Sequence, residues 1–125
     1  MNKKVLVIDD DDDVCNLISF RLAKQGFEVR SALDGITGIA IANEFVPDLI
    51  ILDIMMPVMD GFEVAKNLKE HRITANIPIM LCTAMANSDL KQRSSDIKAA
   101  YCITKPFESK DLIEKVMDVL DWETK

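Results

Sequence analysis

Short apolar runs alternate along this chain with longer stretches whose apolar residues recur at helical spacing. Val5-Leu6-Val7-Ile8 is continuous and strand-length, as expected of a strand covered on both faces of a parallel sheet. Val14, Leu17, Ile18 and Leu22 then follow at helical spacing, and Gly26 is placed to stop that helix. Arg21 falls in the same arc, so its stem is expected along the core edge with the charge outside. Residues 27–32 read as a second strand, poor enough in apolar residues to be an edge. Ile36, Ile39, Ala40 and Phe45 predict a second helix, weakened by Gly38 and ended by Pro47-Asp48. Leu49-Ile50-Ile51-Leu52 is the most hydrophobic strand. Asp60 and Glu63 have capping-box spacing ahead of a third helix carrying Phe62, Val64, Ala65 and Leu68. Residues 77–82 give a fourth strand with Pro78 near its start, and residues 101–104 a fifth. Leu112, Ile113, Val116, Met117 and Leu120 mark a last helix. Between Met85 and Ala100 only Leu90 and Ile97 are large and apolar, so a fourth helix there is expected to be short or mobile.

Strand–helix repeated five times with short connections predicts an α/β fold: one open, doubly wound parallel sheet with helices on both faces. The chain of 125 residues suits one domain. No apolar run is long enough to span a membrane, and the first residues lack the apolar core of a signal peptide. Cys15, Cys82 and Cys102 are widely spaced, with no Cys-x-x-Cys pair. That indicates neither a disulfide framework nor a zinc site; the cysteines are expected to pack as small apolar residues, in a cytoplasmic setting. Charge sharpens the picture. Lys and Arg number 15 against 21 Asp and Glu, a formal −6, and five of the acids form the run Asp9 to Asp13. Without that run the balance is 15 against 16. The acidity is therefore focused, which argues for a bound cation; neither nucleic acid nor a membrane is an expected direct partner.

In such sheets ligands bind beyond the carboxyl ends of the strands. Asp9-Asp10 end the first strand, Asp53 the third, Thr83 the fourth and Lys105 the fifth. Each has an ordinary explanation alone: a solvated helix N-terminus, a turn former, a strand-end Thr, a surface Lys. Their coincidence at one end of the sheet does not. Three close carboxylates raise one another's pKa unless a cation joins them, and an oxygen-only set suits Mg²⁺. A carboxylate can act as nucleophile towards phosphorus, with metal, ammonium and hydroxyl neutralising the phosphoryl oxygens.

The stretches VLVIDDD, PDLIILDIMMPVMDGFEV, IPIMLCTA and ITKPF, in this order and spacing, resemble the receiver domain of two-component response regulators, the CheY-like family. The resemblance covers Lys3 to about Leu120 and implies a flavodoxin-like fold of five helices and five strands, in the order 2-1-3-4-5. It implies a single receiver over residues 1–125, with its core at about 3–120, either free-standing or cut from a longer protein. Asp53 would be the phosphoacceptor, charged by a sensor histidine kinase or histidine phosphotransfer protein, and the phosphorylated domain would shift to a state that binds a downstream protein. Such a domain is a signalling phosphoacceptor and not an enzyme, assisting only its own phosphorylation and dephosphorylation. Asp10, Asp53 and the backbone carbonyl of Met55 would ligate Mg²⁺, with Asp9 acting mainly through water. Thr83 would be the switch hydroxyl and Lys105 the lysine on the phosphoryl group, with a cis bond before Pro106.

Asp11, Asp12 and Asp13 are not part of that pattern. They are read as a helix N-terminus with diffuse attraction for the cation, Asp11 being best placed to assist. Three positions before the lysine, where the family usually carries an aromatic switch, stands Cys102, with Tyr101 one earlier. Either Tyr101 is not the switch or the preceding loop differs by one residue. Lys98-Ala99-Ala100 replaces the usual Gly-Ala-Asp type sequence. Met55 and Met85 stand where family members tune phosphoryl lifetime; neither side chain can position a water, so slow dephosphorylation is expected. His71 reads as solvated, and Phe20 as an exposed residue of a helix on which such domains dock kinases. Two rival readings are a Mg²⁺-dependent aspartyl-phosphate phosphohydrolase using Asp10, with Asp12 and Val14 completing its signature, and an interaction module that is never phosphorylated.

Overall fold

The computed structural model of the chain describes residues 3–84 and 88–120. Strands β1 (Lys4–Ile8), β2 (Glu28–Ala32), β3 (Leu49–Leu52), β4 (Ile79–Thr83) and β5 (Tyr101–Thr104) alternate with α1 (Asp12–Lys24), α2 (Gly35–Phe45), α3 (Gly61–Glu70), α4 (Ser88–Asp96) and α5 (Ser109–Leu120). The strands form one sheet in the order β2-β1-β3-β4-β5, every pair parallel. Because strand side chains alternate between faces, the continuous apolar runs feed two separate cores. Leu6, Ile8, Ile50, Leu52, Ile79 and Leu81 pack under α2 and α3. Val5, Val7, Leu49, Ile51, Met80 and Cys82 pack under α1 and α5. β3, at the centre, is wholly buried, and β2 at its edge buries only Ala32 fully.

The helix boundaries follow from local chemistry. Asp60 and Glu63 form the reciprocal capping box of α3, and Asp34 caps α2 by accepting from Thr37 N at 2.7 Å. Gly26, at φ 99°, takes the left-handed turn after α1. β4 begins at Ile79, so Pro78 precedes the strand; its carbonyl accepts from Ile50 N at 3.0 Å. The buried face of α1 is Cys15, Ile18 and Leu22, while Leu17 is exposed. Along α2, Ile36 is 65% exposed and Ala42 and Phe45 are buried. Gly38, expected only to weaken that helix, has a packing role: a Cβ there would lie 2.5 Å from Ile8 Cδ1, so its absence lets α2 approach β1. α4 spans nine residues and none of its described residues is fully buried; Leu90, with Ile97 just beyond, packs only partly against the first core.

Candidate functional site

All strands being parallel, their carboxyl ends open on one edge of the sheet, and ladder bonds carry past the strand ends to fix what stands there. Asp9 N donates to Ala32 O (3.1 Å), Asp53 N to Ile8 O (2.9 Å) and Lys105 N to Thr83 O (2.8 Å). Asp9, Asp53 and Thr83 are buried while Asp10 is exposed. One carboxylate oxygen from each of Asp9, Asp10 and Asp53 lies within 4.8 Å of the others. Lys105 reaches this group from β5, its Nζ 2.7 Å from Asp9 Oδ2 and 3.3 Å from Asp53 Oδ2. The Lys105–Pro106 bond is cis. Asp53 Oδ1 accepts from Met55 N at 3.2 Å, and Asp9 Oδ1 from Asp11 N at 2.9 Å.

Three carboxylates against one ammonium leave unneutralised negative charge in a partly dry site. Burial pushes the Asp9 carboxyl above its ordinary value; the bonds from Lys105 and Asp11 N oppose this, and the charge of Asp53 adds to it. For Lys105, burial works against the charge, but the bond to Asp9 and the attraction of both acids outweigh it and hold the ammonium above its ordinary value. The donor set is hard oxygen and anionic, open to solvent at Asp10. It fits a Mg²⁺ ion that keeps some of its waters.

The reading of Asp11 to Asp13 as a helix N-terminus holds, and Asp11 has the specific part. Its Oδ1 accepts from Asp13 N (3.0 Å) and Val14 N (3.3 Å), so it is the N-cap of α1 and not a member of the three-acid group. Asp12 and Asp13 form the exposed first turn. Met55 is 56% exposed; Met85 lies outside the described residues. Tyr101 and Cys102 separate to opposite layers. Tyr101 is half exposed with Lys115 Nζ 5.0 Å from its ring, and Cys102 packs against the α2–α3 core. The register Leu81–Cys102 and Thr83–Thr104 shows no slip. His71 is exposed and turned to Asn67 O (2.7 Å), and Phe20 is exposed beside Lys24.

Two supporting residues escaped the sequence reading. Cys15 Sγ donates to Asp9 O at 3.3 Å, beneath the acidic pair; burial and the charge of Asp9 push its thiol up to about 11. Its spacing to Ile18 and Leu22 was the available signal. At Gly61 a Cβ would land on Asp53 O and 2.6 Å from Ile54 Cα, so only glycine lets α3 start against the backbone of Asp53. Here the signal was a glycine at the first position of a helix.

Residues 5–117 match the model of the response regulator receiver domain. The chain is 38% identical over 117 residues to the DNA-binding dual master transcriptional regulator RpaA of a Synechocystis strain, covering 94% of this chain and 48% of that protein. It is 35% identical over 120 residues to the alkaline phosphatase synthesis transcriptional regulatory protein PhoP of Bacillus subtilis, covering 96% and 49%. It thus spans about half the length of these curated relatives. Among solved structures, chemotaxis protein CheY4 of Vibrio cholerae superposes with a TM-score of 0.91 at 32% identity, covering 95% of this chain and 99% of that one. The receiver domain of Francisella response regulator 1452 gives 0.87 at 31%, covering 99% and 100%. The chain belongs to the response regulator receiver family, the receiving half of two-component signal transduction. That membership favours the receiver over the phosphohydrolase reading.

Proposed function

We propose that Asp53 accepts a phosphoryl group from the phosphohistidine of a sensor kinase or histidine phosphotransfer protein, and that the resulting aspartyl phosphate biases the domain towards a state that binds a downstream protein. The observation that carries this reading is the convergence of Asp9, Asp10 and Asp53 with the ammonium of Lys105. An oxygen of Asp53 attacks phosphorus, the phosphorus–nitrogen bond to the donor imidazole breaks, and its electron pair leaves with that nitrogen. Asp10, Asp53 and the Met55 carbonyl would hold Mg²⁺ directly, with Asp9 beside it. Bound there, the ion supplies charge neutralisation for the phosphoryl oxygens. Lys105 already sits on Asp53 and is placed to follow its charge onto the new phosphoryl oxygens; Thr83, next to Lys105 through its carbonyl, would supply the hydroxyl donor. The packing of Cys102 towards the α2–α3 core supports Cys102 as the residue at the switch position, without the swing of an aromatic ring; Tyr101 faces the other layer.

The domain acts as a phosphoacceptor and not as an enzyme on other substrates, and its core runs from residue 3 to about 120. A formal charge of −6 and three free cysteines support a cytoplasmic domain without direct nucleic-acid contacts, although one relative, RpaA, is named as DNA-binding. No helix among the described residues is long and apolar enough to cross a membrane. The test is phosphorylation with acetyl phosphate and Mg²⁺, read by intact mass. We expect a gain of one phosphoryl group that disappears in Asp53→Asn and without Mg²⁺. Labelling that survives Asp53→Asn and is lost in Asp10→Asn would return the phosphohydrolase, and no labelling despite Mg²⁺ binding would leave an interaction module.

A further inference from the structure

A cleft of about 1050 Å³ lies between α3 and the α4–β5 turn, and none of the acidic-site residues lines it. Four cationic side chains line it instead: Lys66 and Lys69 from α3, Arg93 from α4 and Lys98 from the turn. Among the described residues none of the four forms an ion pair. Three acids, Glu63, Glu70 and Asp96, line the same cleft against these four cations; Glu63 accepts from Asp60 N (3.2 Å) and Asp96 from Gln92 Nε2 (3.2 Å), which holds those two carboxylates on their own helices. Lys69 turns inward to a single acceptor, Ile77 O at 3.3 Å. Burial, and secondarily the charge of Lys98 on the same cleft, lowers its pKa. Arg93 sits 3.8 Å from the centre of the Phe62 ring, and a guanidinium over a ring keeps its in-plane N–H donors for other acceptors. Pro78 and Ile97 add apolar lining. Lys69, Lys98 and Arg93 on one cleft, none of them in an ion pair among the described residues, offer the cationic N–H donors that an oxyanion accepts from.

We propose that this cleft binds a small phosphate-bearing anion, its oxygens held between Lys69 and Lys98 with Arg93 alongside. Such a ligand ties α3 to the turn after α4, the helix with least burial, and gives the domain an input separate from phosphorylation. Calorimetric titration in Mg²⁺-free buffer, with inorganic pyrophosphate and ADP as separate probes, tests it. We expect saturable binding of at least one probe, weakened about tenfold or more in Lys69→Met and in Lys98→Asn and retained in Asp53→Asn. Asn is chosen because Lys98 has φ 55°, which Asn tolerates. Tighter binding of ADP identifies a nucleotide as the ligand; binding of pyrophosphate alone identifies a simple oxyanion. Absence of binding by either probe overturns the proposal. So does binding that survives both cleft variants but is lost in Lys105→Ala, which places the anion at the acidic site.

Discussion

Asp9 and Lys105 are joined by a 2.7 Å bond that favours the charged form of both, yet the balance differs at its two ends. Lys105 gains on balance, whereas the charge on Asp9 remains a net cost despite its partner, because it is buried beside Asp53. Asp9→Asn keeps the shape, removes the unfavourable charge and leaves Lys105 with Asp53. We expect it to stabilise the Mg²⁺-free fold by roughly 1 kcal/mol at neutral pH, measured by urea unfolding. The sign of the pH dependence follows. A carboxyl whose folded pKa is raised above 3.8 loses stability for the fold as pH climbs from that value through the raised one, so the advantage of Asp9→Asn should be full above this window and close as pH falls below it. Met55 and Met85 make a kinetic prediction: neither side chain can position an attacking water, so Met85→Asn should shorten the phosphoryl lifetime, read by loss of the phosphorylated mass. An unchanged lifetime would remove Met85 from any tuning role.

Gly61 and Gly38 each seat a helix against the sheet, yet they differ in what a methyl group would strike. At Gly61 the obstacle is the backbone of Asp53 and Ile54; at Gly38 it is the end of the Ile8 side chain. Gly61→Ala should cost about 2 kcal/mol and slow acetyl-phosphate labelling. Gly38→Ala should cost much less, since Ile8 can adjust and alanine favours the helix. Phosphorylation kinetics beside unfolding curves separate the two. α4 offers a different test: with no fully buried described residue it should exchange its amide hydrogens faster than α1 or α5. Its weakness was legible in the sparse apolar pattern, as were the strands and the α3 capping box, because runs of four apolar residues and an Asp-x-x-Glu spacing are local signals. The burial of Cys15 was expected, but the exposure of Leu17 was less visible, and so was the burial of Ala42 instead of Ile36. Small side chains are selected by how closely a helix approaches its sheet, a distance that no hydrophobic count contains.

For the whole molecule, parallel topology gathers the polar ends of four strands at one edge, which is why the candidate site could be assembled from strand termini alone. The resemblance already set Asp9 and Asp10 apart from Asp11 to Asp13; what five identical residues hid was which one caps α1 and which one is buried on Lys105. Asp9 is buried on Lys105, Asp10 is exposed in the three-acid group, Asp11 caps α1, and Asp12 and Asp13 begin that helix. Mg²⁺ should stabilise the folded domain by about 2.7 kcal/mol at a hundredfold excess over its Kd. Thermal melts of Asp10→Asn, which folds normally because the side chain is exposed, should lose most of that gain. The run is thus a counted sequence and not a reservoir of charge. Deleting any one of its aspartates removes the same charge and yields the same polypeptide, yet shifts every later residue by one place: a non-capping valine inherits a helix-start position, and the α1 stripe turns by about a hundred degrees against its core. In this stretch composition is forgiving and phase is not, so single-residue insertions and deletions should be far more damaging than Asp-to-Asn changes at Asp12 or Asp13.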